Sequence, residues 1–122
     1  MLNPYSEEER LQAMVSACYR ASRSHFNHLA IAHVIDPPRD MFDAKLARQI
    51  AIHILSVEFI VPRRRLAALL SLARSTILGA VNTVDDRMYD PVFERAYGRI
   101  AARANDLFMA ALTEAAGLED AA

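Results

Sequence analysis

The chain has 122 residues, 53% of them apolar, with three Gly, one Cys and no Trp. That length and composition suit one domain with a single buried core and exclude a disordered tail. A formal net charge of -1 excludes a global attraction to nucleic acid, so an argument for such a partner must rest on where the charges lie.

The fold class expected is all-α, a bundle of about five to six helices, because no segment alternates apolar and polar residues over strand length. Ser6-Glu7-Glu8-Glu9 is a capping box, and Leu11, Met14, Val15, Cys18 and Tyr19 follow at helical spacing, predicting a first helix to about Ser22. Phe26, Leu29, Ala30, His33 and Val34 predict a short second helix, stopped at Asp36-Pro37-Pro38. From about Phe42, the series Leu46, Ile50, Ile54, Val57 and Phe59 predicts a long central helix, too apolar to be one-sided. Pro62 ends it or opens the next helix, and Asp90-Pro91 introduces a last helix from Val92 to about Thr113, with Gly117 and the alanine-rich tail expected to fray. The chain reads as one domain: an N-terminal helical extension over 1–38, a central region over 42–93 and a C-terminal helix over 91–116.

The charges are unevenly placed. Between Arg39 and Arg74 the bases are Arg39, Lys45, Arg48, Arg63, Arg64, Arg65 and Arg74, against Asp40, Asp43 and Glu58. Within this stretch, residues 63 to 84 fit a helix-turn-helix frame. Leu66, Leu70, Leu72, Ile77 and Ala80 fall where burial is required, Ala67 where the helices touch, and Ser71 at the tight turn. The second helix then opens on Arg74, Ser75 and Thr76, with Gly79 and Asn82 further along, a set of polar and small residues suited to base edges and phosphate. Arg63-Arg64-Arg65 stands at the start of the supporting helix, where a phosphate would lie. Asp85-Asp86 is expected to point away from the groove. The competing reading is an ordinary helical hairpin in a bundle.

Residues 45–93 resemble the C-terminal DNA-binding domain of the bacterial replication initiator DnaA. Ala47-Arg48-Gln49-Ile50-Ala51 is similar to that family's opening of a long helix, Leu66-Ala67 to its isoleucine-glycine step, and Ser75-Thr76-Ile77-Leu78 to its threonine-threonine-valine-leucine run. The resemblance implies phosphate contacts for Arg48 and Gln49 and base contacts for Ser75 and Thr76. Where the family has arginine, aspartate and histidine before the threonines, this sequence has Leu72-Ala73-Arg74, and Gly79 replaces a histidine. The family's usual target is therefore not expected. There is also no Gly-rich loop ending in Lys-Ser or Lys-Thr, hence no ATPase.

Other residues invite chemistry. His25, His28 and His33 lack the partners that would complete a zinc site, and Asp85, Asp86 and Asp90 fit no calcium loop and read as a solvated face. His53 is expected to be a core histidine bonded to a backbone carbonyl, and Cys18 a small buried hydrophobe. No catalytic residue, metal or cofactor is expected, nor a membrane span. The apolar run from Ile50 to Val61 is broken by His53, Ser56 and Glu58, and Met1-Leu2-Asn3-Pro4-Tyr5 lacks a signal-peptide layout, so a cytoplasmic location is expected.

The expected function is sequence-specific double-stranded DNA binding by the helix-turn-helix, through Lys45, Arg48, Gln49, Arg63, Arg64, Arg65, Arg74, Ser75, Thr76 and Asn82, in a bacterial transcription regulator or replication accessory factor. The alternative is a helical adaptor or inhibitor that has lost DNA binding. A homodimer or a protein partner is left open.

Overall fold

The computed structural model describes residues 2–121, with side-chain surroundings over 2–117. Helices account for the ordered structure throughout, and the fold is all-α. α1 spans Glu7–His25. The Ser6 Oγ accepts from the Glu9 N–H at 3.4 Å, and Glu7, Glu8 and Glu9 stand where the helix dipole favours acid. Its buried residues include Cys18, Tyr19 and Ala21, so the N-terminal helix completes the core.

The expected second helix is shorter than the apolar series implies. Phe26 to Leu29 form a turn, closed by the Leu29 N–H on the Phe26 carbonyl at 2.9 Å, and only α2, Ile31–Ile35, is helical. Burial of Leu29 and Val34 accounts for the periodicity without a continuous helix. α3, Phe42–His53, is the central element, with Ala44, Ala47, Ile50, Ala51, Ile52 and His53 all buried. The buried Ser22 hydroxyl donates to the Ala47 carbonyl at 2.6 Å and ties α1 to α3.

The long helix expected through Phe59 changes character at His53. Ile54–Glu58 forms a π turn, closed by the Phe59 N–H on the Ile54 carbonyl at 3.0 Å, with Ile54 and Leu55 fully buried. Ile60 then takes φ 56, and Pro62 leads into α4, Arg63–Leu70. α5, Arg74–Arg87, follows after three residues, the chain bending by 114° between the two helices.

That bend is built on a Schellman closure. Ser71 adopts the left-handed conformation, its N–H bonds the Ala68 carbonyl, and the Leu72 N–H bonds the Ala67 carbonyl at 3.0 Å. Leu66, Ala67, Ile77 and Ala80 are buried as the frame requires, while Leu70 and Leu72 are half-buried against the core.

α6 spans Pro91–Ala121. The Asp90 carboxylate accepts from the Val92 N–H at 2.9 Å, which makes Asp90 the cap of α6 while it stays exposed, as expected. The helix runs on past Thr113, where its end was expected. Gly117 lies within the helix, where one glycine costs only about 1 kcal/mol against alanine, and Ala115 is buried just before it. α6 packs along α1, α1 on α3, and α3 on α5. No single helix among the described residues is long and apolar enough to cross a membrane.

Candidate nucleic-acid interface

α3 and α5 pack together and leave a cleft of about 220 Å³ between their outer edges. Lys45, Arg48 and Gln49 supply the α3 side, and Thr76, Gly79 and Thr83 the α5 side. Four of the ten residues singled out in the sequence therefore meet in one place. Thr83 was not among them, although it lies seven residues, or about two turns, beyond Thr76.

Arg48 is half-buried at this cleft, and its Nε has no protein acceptor within hydrogen-bond distance. A buried donor left unmade costs about 1–3 kcal/mol. The same guanidinium partly offsets the upward push that burial gives the Tyr19 hydroxyl.

The first turn of α5 does not present Arg74, Ser75 and Thr76 on one face. Consecutive helical residues step by about 100°, so the three fan across about 200°. Thr76 lines the cleft with α3, whereas Ser75 and Arg74 are exposed and do not line it. The solvent stripe continues from Ser75 through Gly79 and Asn82 to Asp86, which is about three turns on from Ser75. Asp86 thus stays on the open face, contrary to expectation.

Asp85 leaves that face for a different reason. Its carboxylate sits 2.7 Å from His53 Nε2, and His53 Nδ1 is 2.6 Å from the Tyr97 hydroxyl. An ionised carboxylate can only accept, so Nε2 donates to Asp85, and in the neutral ring Nδ1 accepts the Tyr97 proton. His53 is therefore satisfied by two side chains and not by a backbone carbonyl. Burial, with Glu58 and Asp85 adding to it, pushes the Tyr97 hydroxyl well above its usual range. The chain of three joins α3, α5 and α6 and holds the lower half of α5 in place.

The arginine run opens α4. Arg63, Arg64 and Arg65 are all exposed, with no side-chain cap and no acid in that first turn. Positive charge at the positive end of a helix dipole is unfavourable. α5 likewise starts uncapped, on Ala73 and Arg74, without an acid. α1, by contrast, has three glutamates and a serine cap, while α2 and α3 also start without a side-chain cap. Arg65 is the exception, bound to Glu7 Oε1 at 2.7 Å across the gap to α1. None of the three reaches the α3–α5 cleft.

Gly79 breaks a second local rule. A Cβ there would meet nothing within 4 Å, so packing does not require glycine in the middle of α5.

The other reactive side chains are accounted for structurally. His28 Nε2 lies 3.1 Å from the Asp43 carboxylate at the surface. Cys18 is fully buried, and burial drives its thiol far above the usual range, which leaves it unreactive. In comparisons with protein-family models, curated proteins and solved structures, nothing matches this chain.

Proposed function

We propose that this protein binds double-stranded DNA through α4, the Ser71 turn and α5 acting as a helix-turn-helix. The first turns of α5 enter the major groove, Lys45, Arg48 and Gln49 lie on one flanking phosphate run, and Arg63 and Arg64 on another. The observation that carries this reading is the cleft that sets the cationic edge of α3 beside the small and hydroxyl residues of α5, next to a helix pair bent by 114°. A bend near 90–120° across a short turn is the proportion of a DNA-binding helix-turn-helix.

Two departures from local stability support the same reading: arginines at an uncapped helix start and a buried Arg48 donor without a partner. Sequences break such rules chiefly where function requires it. The resemblance of 45–93 to the DNA-binding domain of the replication initiator adds Arg48, Gln49, Ser75 and Thr76 to the contact set from a separate direction. It makes a regulator or replication accessory factor of bacterial type the biological setting we favour. Asp86, on the open face, limits insertion to the part of α5 before it.

Fluorescence anisotropy with a random-sequence duplex tests the reading. With Lys45, Arg48, Arg63 and Arg64 on phosphates, affinity should fall about a hundredfold between about 50 and about 200 mM salt. The Arg48→Ala, Lys45→Ala double variant should flatten that dependence. Binding that is absent at low salt, or equally steep in the variant, contradicts the reading and favours a protein-binding adaptor.

A further inference from the structure

Apart from the cationic edge of α3, a second set of arginines has no assigned role. Arg20 and Arg23 of α1 and Arg103 of α6 line an open cleft of about 600 Å³ together with Ser16, and no carboxylate lines it. Among the described residues, none of the three arginines makes an ion pair. Arg23 is held in place through Nε, which donates to the Leu29 carbonyl at 3.0 Å and leaves its terminal nitrogens for another acceptor. Ser24, also at the cleft, turns its proton to the Ala21 carbonyl at 2.7 Å, so Ser16 and the guanidiniums are the donors available.

This cleft does not end at its cationic part. It shares Ser16, Arg20 and Ile31 with a neighbouring cleft of about 380 Å³ between α1, α2 and the end of α4. There the walls are mainly apolar, with Val15, Ile35 and Leu70 prominent. Ile31 is 40% exposed and Ile35 51% exposed, so apolar surface stands uncovered beside unpaired positive charge. Guanidiniums bind oxyanions in bidentate fashion, and an apolar trough beside them would take up a short hydrocarbon or ring.

We propose that the joined clefts form a binding site for a small soluble amphiphilic anion. Its phosphate or carboxylate head lies on Arg20, Arg23 and Arg103, and its apolar body on Ile31, Ile35 and Leu70. The charge complementarity is one-sided, and the combined space is of ligand size. The proposal stands apart from the DNA-binding reading and fails or holds without it.

Calorimetric titration with octyl phosphate, inorganic phosphate and octanol tests it, with thermal unfolding as a second readout because a ligand of the native state raises the midpoint. Saturable one-to-one binding of octyl phosphate is expected, about tenfold or more tighter than either fragment alone. Arg20→Gln with Arg103→Gln should weaken octyl phosphate about tenfold, and Ile35→Ser should weaken it while leaving inorganic phosphate unchanged. All three positions are exposed, and an unchanged circular dichroism spectrum verifies folding. Octyl phosphate binding that is absent, that survives the arginine double variant, or that is no tighter than inorganic phosphate would overturn the proposal. So would co-sedimentation with phosphatidylglycerol vesicles without saturable octyl phosphate binding, which would mark a membrane-facing surface instead.

Discussion

Two side chains occupy backbone conformations that suit glycine: Ser71 at φ 55 and Ile60 at φ 56. Ser71 makes the Schellman closure that sets the α4–α5 angle, whereas Ile60 is β-branched and 79% exposed, and nothing in the structure explains its choice. Relief of left-handed strain, less the added freedom of glycine in the unfolded chain, predicts that Ile60→Gly stabilises by about 0.5–1 kcal/mol in urea denaturation. Ser71→Val should instead destabilise by about 1–2 kcal/mol and loosen the turn. In the chain of Asp85, His53 and Tyr97, Tyr97→Phe leaves the buried His53 Nδ1 without its partner and should cost about 1–3 kcal/mol. Asp85→Asn should cost less, because that carboxylate is more than half exposed. Ser71 was legible from the sequence as the turn position, since the helix-turn-helix frame demands it. The partners of His53 were not, because Asp85 and Tyr97 lie 32 and 44 residues away and no local pattern pairs them.

Helix periodicity located α1, α4 and α5 closely because each carries its own end signals: a capping box, Pro62 and the Ser71 turn. It overextended α2, where two buried residues in a turn and a short helix imitate one stripe, and it missed the π turn, since no Gly or Pro within 54–58 marks the change. The candidate site was half legible. Lys45, Arg48, Gln49 and Thr76 do converge, but only tertiary packing shows that Arg74 does not line their cleft and that Arg65 is held by Glu7. At this scale Arg65→Ala should weaken DNA affinity less than Arg63→Ala or Arg64→Ala in the same anisotropy assay. Gly79→Ala should stabilise α5 by about 0.5–1 kcal/mol, the helix-propensity gain where a Cβ meets no neighbour. If the face is a reading surface, the same variant loses affinity for duplex DNA. A gain in both stability and affinity would remove Gly79 from the interface.

For the molecule as a whole, three acids are held neutral by burial: the Cys18 thiol and the Tyr19 and Tyr97 hydroxyls. Each has a folded value above its unfolded one, so as pH rises the unfolded chain releases these protons first. Stability is then fully present below the unfolded values and falls as pH climbs past them, beginning near about 8.5 for the thiol and about 10 for the tyrosines. Urea midpoints between neutral pH and pH of about 10.5 should show this loss, with the earlier onset absent in Cys18→Ala. The all-α class was readable from composition and periodicity, while the way α1 closes the core against α3 and α6 required the structure. The two separate clefts, one between cationic α3 and α5 and one lined by arginines of α1 and α6, give the molecule its proposed division of work. The most direct test of the proposed DNA-binding face is an amide chemical-shift map on titration with a short duplex. Perturbations concentrated at residues 45–49, 63–64 and 74–83 are the result this account predicts. Perturbations confined to α1 and α6, or none at α3 and α5, would contradict it.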